Sequence, residues 1–163
     1  MIFTQVISTK IGHLKIEASN NGLRRILLLG SLPTVDPNQN KYTEIAAIQL
    51  KEYFSGKRKK FDVNLDWKGH SEFYQSVWNY LLTIPSGQTR SYGEIAKHLD
   101  NPGASRAVGL ANGKNPIPII VPCHRVIGSN GALTGFALGL HIKKQLLAHE
   151  NPESFGMQGE LLL

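Results

Sequence analysis

Apolar and polar positions alternate with period two along "MIFTQVIST" (1–9) and "HLKIEAS" (13–19), which predicts two half-buried strands. "SNNG" (19–22) reads as a turn into a third apolar stretch, "LRRILLLG". A polar, proline-bearing loop, "SLPTVDPNQN", follows. "YTEIAAIQLKEYFSG" (42–56) then places Ile45, Ala46, Ile48, Leu50, Tyr53 and Phe54 close to a helical stripe ending at Gly56. In "FDVNLDW" (61–67), Phe61, Val63, Leu65 and Trp67 alternate with Asp62, Asn64 and Asp66, the pattern of another half-buried strand. Together these elements predict a small antiparallel sheet with one helix.

The pattern changes near Gly69. "SEFYQSVWNYLLTI" (71–84) has helical period, with Phe73, Val77, Trp78 and Leu81 on one face, and "PSGQTR" stops it. "SYGEIAKHL" (91–99) opens with Ser91 and Glu94 at capping-box spacing. After the turn "DNPGA", "SRAVGLANGKN" (105–115) reads as a second short helix, so the pair has the outline of a helix-turn-helix. "GSNGAL" (128–133) reads as a hairpin turn. "LGLHIKKQLLAHE" (138–150) reads as a helix with Leu140, Ile142, Leu146 and Leu147 on its apolar side. The tail has no firm period. Trp67, Trp78 and Tyr53 read as core. His98, His141 and His149 read as surface positions.

No apolar run reaches bilayer length and the N-terminus has no secretory pattern, so a cytoplasmic protein is expected. The net charge of +6 draws the chain towards polyanions, nucleic acid above all. Much of the excess sits in "GKRKKF" (56–61), which reads as a solvated turn. The six histidines lack metal-site spacing and there is one cysteine, so neither a zinc site, another metal site nor a disulfide is expected.

That cysteine carries the chemistry. In "NPIPIIVPCHRVI" (115–127) an apolar run delivers Cys123 directly to His124 and Arg125. A thiolate is the nucleophile, and a nearby imidazole can take its proton directly or through a water. Neighbours in a strand point to opposite faces, so a kink at Pro122–Cys123 or a bridging water must bring the two groups together. His124 then needs a third group to fix its tautomer, and Glu150, at the end of the last helix, is the best candidate, although by itself it reads first as an ordinary surface glutamate. Arg125 reads as structural, tying the segment to neighbouring carbonyls. These residues alone leave open a cysteine hydrolase or acyl-transfer enzyme using Cys123, His124 and Glu150, and a DNA-binding module in which the thiol is inert.

"NPIPIIVPCHRVI", with "RAVG" upstream and "LLAHE" downstream, closely resembles the active-site region of the O6-alkylguanine-DNA alkyltransferases, the methylated-DNA–protein-cysteine methyltransferases, in consistent order from Phe73 to Glu150. The resemblance implies an α+β protein: a ribonuclease H-like sheet-and-helix domain over 1–69, a mainly helical, winged-helix-like DNA-binding domain over 70–153, and a tail over 154–163. It implies direct-reversal DNA repair, with irreversible, single-turnover transfer of a methyl or other small alkyl group from O6-alkylguanine, and O4-alkylthymine, to Cys123. His124 is then the water-mediated base and Glu150 its orienter. Tyr92 crowds the target phosphate and can protonate the leaving purine. Arg106 fills the gap left by the flipped nucleotide, and the small residues Ala107, Gly109 and Ala111 let the second helix approach the minor groove of double-stranded DNA. Asn115 holds the turn before the active-site segment, and Pro118, Val126, Phe136 and Ala137 line the guanine pocket. The family segment glycine–tyrosine–x–glycine–glycine stands here as "GFALG" (135–139), so Phe136 lacks a hydroxyl and Leu138 replaces a glycine; less tolerance for bulky alkyl groups is expected. The resemblance implies no cofactor and a monomer.

Overall fold

The computed structural model describes residues 1–34, 38–133 and 135–156, so most of the expected tail (154–163) lies outside the described residues. The chain divides into two compact units, Met1–Lys68 and a second beginning at Gly69.

In the first unit β1 (Phe3–Thr9), β2 (Gly12–Ala18) and β3 (Leu23–Leu29) form an antiparallel meander in that order. The period-two pattern is realised on β2, where Leu14, Ile16 and Ala18 are fully buried while His13, Lys15 and Glu17 on the other face remain partly exposed. Helix α1 (Lys41–Phe54) packs on β1 and β2 through buried Ala46, Ala47, Leu50 and Tyr53. Asn40 caps it, accepting from the backbone N–H groups of Tyr42 and Thr43. Gly22 turns β2 into β3 at φ 157°, and a Cβ there would sit 2.7 Å from the Asn64 carbonyl oxygen, so only glycine fits.

The expected strand at 61–67 is not one. The segment keeps its alternation, with Asp62 and Asn64 exposed, but joins the sheet only through a single bridge between Leu23 and Leu65. Its backbone is met instead by a side chain: Gln49 Nε2 donates to the Asp62 carbonyl (3.1 Å) and Gln49 Oε1 accepts from the Asp62 N–H (2.8 Å). An amide that satisfies both groups of one residue replaces a ladder there. Trp67 is half-buried, whereas Tyr53 is core as expected.

The second unit holds α2 (Glu72–Leu81), α3 (Tyr92–His98), α4 (Ser105–Gly113), α5 (Leu140–Glu150) and a short α6 (Pro152–Phe155). The capping box forms as read: Ser91 Oγ accepts the Glu94 N–H, and Glu94 Oε1 accepts the Ser91 N–H. Asp100, at φ 57°, ends α3 by letting the Asn101 N–H reach the Ala96 carbonyl, and α4 then packs back on α3. Fully buried Trp78 of α2 contributes roughly 1.5–3 kcal/mol of burial, and its Nε1 donates to the Ala111 carbonyl of α4 at 2.8 Å.

Two expectations for this unit are corrected. The turn at 128–133 closes through Gly128–Ala132 and Gly131–Gly128 hydrogen bonds, but no hairpin flanks it among the described residues. The short β5 (Val126–Ile127) before it pairs in parallel with β4 (Arg90–Ser91). On α5, Leu140 is exposed, whereas Lys143 is buried together with Leu146 and Leu147. The inward face is therefore 143, 146, 147 and 150, at i, i+3, i+4 and i+7.

Candidate active site

The kink demanded by the cysteine segment is present. Pro122 has φ −82° and ψ 66°, an inverse γ-turn, with the Cys123 N–H donating to the Val121 carbonyl at 2.8 Å. A 3₁₀ turn over Cys123–Arg125 follows, so Cys123 and His124 escape the alternation of a strand. The loop before it is clamped by Asn115. Its Oδ1 accepts the Ile117 N–H at 3.0 Å and its Nδ2 donates to the Val121 carbonyl at 2.8 Å. Inside the clamp, buried Ile119 sits at φ 76°, a conformation that costs a β-branched residue about 1–3 kcal/mol and persists only where its surroundings fix it.

Glu150, the last residue of α5, meets His124 and Arg125 together. Its Oε2 lies 2.7 Å from His124 Nε2, and Arg125 grips both carboxylate oxygens, Nε to Oε1 at 2.8 Å and Nη2 to Oε2 at 2.9 Å. Arg125 Nη1 also donates to the Ile84 carbonyl at 2.6 Å, the carbonyl contact expected of it. The His124 and Glu150 side chains are 0% and 1% exposed. A carboxylate at a helix C-terminus opposes the helix dipole, and the bidentate guanidinium supplies the compensating charge. Burial would raise the Glu150 carboxyl, but His124 and Arg125 outweigh it and hold it well below the usual carboxylate range. Burial pushes the His124 imidazole down, against the pull of Glu150, so the ring rests neutral. With Nε2–H donating to Glu150, Nδ1 carries the free lone pair, and Nδ1 has no hydrogen-bond partner among the described residues. The ring is thus a neutral base with its acceptor nitrogen open.

Burial, only partly offset by Asn115 and Lys143, pushes the Cys123 thiol up to about 11. The sulfur is therefore a protonated thiol at rest and not a standing thiolate. Reaction of the free protein with iodoacetamide is expected to accelerate about tenfold per pH unit between pH 7 and 9.5, without levelling off. A plateau near neutral pH in stopped-flow alkylation would contradict this environment.

The remaining expected residues are dispersed more widely. Tyr92 opens α3, half-buried, and its ring lies 3.7 Å from where a Cβ on Gly109 would stand. Arg106 and Ala107 are exposed on α4, as a DNA-facing surface needs. Ala111 is not on that surface; it is fully buried on the inner face of α4 with Val108 and Asn112, its carbonyl held by Trp78, and Leu110 is the exposed residue beside it. Phe136 stands edge-on to His124 with ring centroids 6.5 Å apart, and Ala137 is exposed, but Pro118, expected to line the guanine pocket, is buried. Val126 is fully buried, so its side chain offers no surface to a ligand in this state.

Lys143 and Asn112 escaped sequence reasoning. Lys143 donates to the Val126 carbonyl at 2.6 Å, and burial lowers its ammonium to about 8. Its signal was the 143/146/147/150 spacing, which puts it on the face of Glu150. Asn112 donates through Nδ2 to the Cys123 carbonyl at 3.3 Å, and nothing in its sequence context marks it. Among the described residues no group of three or more His, Cys, Asp or Glu could hold a metal ion.

The chain matches two family models, that of the 6-O-methylguanine DNA methyltransferase ribonuclease-like domain over residues 2–67 and that of the 6-O-methylguanine DNA methyltransferase DNA binding domain over 72–152. It is 47% identical over 155 residues to the methylated-DNA–protein-cysteine methyltransferase of Methanosarcina acetivorans, covering 91% of this chain and 98% of the relative. It is 47% identical over 156 residues to that of Mycobacterium bovis, covering 92% and 93%. Among solved structures, Mycobacterium tuberculosis O6-methylguanine methyltransferase superposes with TM-score 0.82 at 46% identity, covering 93% and 94% of the two chains. The Mycobacterium tuberculosis OGT structure in complex with DNA gives 0.81 at 47% identity, covering 91% and 92%.

Proposed function

The chain belongs to the 6-O-methylguanine DNA methyltransferase family, and on that premise we propose that Cys123 is its alkyl acceptor, deprotonated through His124 under the control of Glu150. The protein is a methylated-DNA–protein-cysteine methyltransferase that repairs alkylated DNA by direct transfer to cysteine. The observation that carries the residue assignment is the buried Arg125–Glu150–His124 cluster, whose His124 Nδ1 has no hydrogen-bond partner among the described residues and whose histidine directly follows the only cysteine of the sequence.

O6-alkylguanine is reached by flipping the nucleotide out of the duplex. Cys123 Sγ attacks the alkyl carbon, the C–S bond forming as the C–O bond breaks. The thiol proton passes through a water to His124 Nδ1, whose new charge Glu150 offsets. The purine leaves with the C–O electron pair and takes a proton from Tyr92. The resting thiol is protonated, so the proton leaves as the lesion arrives, and the nucleophile is shielded from other electrophiles until then. The product is a thioether. The chain has no second thiol to resolve it, so each molecule reacts once.

Intact mass and peptide mapping after mixing with O6-methylguanine duplex test this. Each chain is expected to gain one methyl, on Cys123, and to stop at one lesion per protein; consumption of further lesions by the same molecules would indicate the multi-turnover hydrolase instead.

Exposed Arg106 on α4 occupies the void left by the flipped nucleotide, and the minor groove admits the helix beside Ala107 and Gly109. Arg106→Ala is expected to slow single-turnover transfer from duplex about 10–100-fold while leaving a single-stranded substrate almost unaffected, because a single strand has no stacked void to fill. Equal losses on both substrates in quench-flow would overturn the void-filling role. A monomer working in the cytoplasm completes this reading, supported by the DNA substrate.

A further inference from the structure

We propose that Asn112 is a positioning residue for alkyl transfer: from the helix that carries Arg106 it holds the carbonyl of Cys123, so that the DNA-facing helix and the nucleophile move as one piece. The inference rests on Cys123 being the alkyl acceptor.

Asn112 is 3% exposed, on the inner side of α4 one residue beyond Ala111. Its Nδ2 donates to the Cys123 carbonyl at 3.3 Å, a buried bond between the helix and the active-site turn. The same carbonyl accepts the Val126 N–H that closes the 3₁₀ turn. The peptide that fixes the direction of the Cys123 side chain is therefore held from two sides, once by its own turn and once by α4.

The other end of the amide is what makes this more than packing. Asn112 Oδ1 is buried and has no hydrogen-bond partner among the described residues. The orientation is forced, because a carbonyl can only accept and so takes the NH₂ end. A buried acceptor left unmet costs more than one neutral hydrogen bond returns, so an apolar side chain of similar volume would serve the fold better. A residue that local energetics disfavours, touching the reacting residue, is expected where function selects it. Trp78 Nε1 grips the preceding carbonyl, that of Ala111, at 2.8 Å, so this end of α4 is fixed at two consecutive residues while Arg106 projects from the first turn.

The test uses the full chain with Asn112→Ala and Asn112→Asp, measuring single-turnover methyl transfer from O6-methylguanine duplex at saturating DNA from pH 6 to 9, and affinity for undamaged duplex. Asn112→Ala is expected to slow transfer about 10–100-fold, the effect of a small misplacement of a reacting group, with affinity changed by less than about twofold. In Asn112→Asp the ionised carboxylate cannot donate, whereas the protonated acid can. The ratio of its rate to that of the wild type is therefore expected to rise as pH falls, a pH signature that a loosened fold would not produce. A wild-type rate in Asn112→Ala, a wild-type rate in Asn112→Asp at pH 9, an affinity loss matching the rate loss, or an Asp-to-wild-type ratio flat across pH would overturn the proposal. If Asn112→Ala does not fold, the pH series of Asn112→Asp decides alone. Failure of the wild type to methylate Cys123 would remove the underlying reading as well; normal wild-type transfer with unaffected variants removes only this one.

Discussion

Cys123→Ala is expected to bind methylated duplex as tightly as the wild type and to take no methyl from it. Cys123 is 2% exposed, whereas Arg106 and Ala107, the residues proposed to meet DNA, are exposed, so its removal is expected to change no group that meets a phosphate. The substitution removes one buried atom, and its cost in stability is about 1 kcal/mol or less, so the variant stays folded. Transfer, by contrast, has no other acceptor in the chain, because this is the only cysteine. The loss is therefore complete, to the background of the uncatalysed reaction. Gel-shift affinity with a methylated duplex, together with intact mass of the same sample, separates the two properties. Binding retained with mass unchanged is the expected pair. Methylated protein would mean that another side chain is the nucleophile, and lost binding would mean that the cysteine also shapes the DNA surface.

Local patterns made most of the elements legible. The period-two runs marked β1 and β2, the apolar stretch after the turn marked β3, and the helical stripes and the Ser91/Glu94 box marked the main helices. The failures have a common physical origin, partners that are distant in sequence. Alternation at 61–67 implied a ladder, but whether an extended segment pairs depends on what stands beside it, and here that is the amide of Gln49. Lys143 escaped the sequence because lysine rarely goes fully inside, yet the Val126 carbonyl receives its ammonium there. Ala111 was placed towards DNA for its size alone; which way a small residue faces is decided by the neighbouring helix, and Trp78 draws it inward. The Cys123–His124 pair needed a kink that the sequence could demand, through Pro122, but not draw. Glu150 was a candidate from its place at the end of the last helix and was strengthened by the resemblance, while its grip by Arg125 depends on two side chains meeting 25 residues apart.

That grip makes Glu150 the second position of large expected effect. In Glu150→Gln the side chain keeps its size but loses its charge, and its NH₂ end presents a donor to His124. The ring is then driven to the tautomer with the proton on Nδ1, and the nitrogen that should receive the thiol proton is blocked. Transfer is expected to slow by about 10²–10⁴-fold, as when a catalytic imidazole is held in the wrong tautomer. Stability changes too, because Arg125, 6% exposed at its side chain, loses the counter-charge that offsets its burial. Removing one member of a buried ion pair costs about 3–5 kcal/mol.

The pH dependence distinguishes this from loss of packing. The folded protein holds the Glu150 carboxyl below the unfolded value of about 4.3, so its contribution is fully present above that pH and is lost as pH falls towards the folded value. His124 adds to acid lability from a higher pH. It is kept neutral by burial, and below about 6.5 the unfolded chain takes up a proton that the folded ring refuses. Urea midpoints of wild type and Glu150→Gln are therefore expected to differ at pH 7, to stay at least as far apart down to about pH 4.3, and to converge only below it. Without the carboxylate His124 is still harder to protonate, so the early decline below about 6.5 persists in the variant while the later one disappears. Parallel curves down to the acid limit would mean that Glu150 is not an ionised partner of Arg125 and His124, and with it would go the reason for a neutral His124 whose Nδ1 is left to accept a proton.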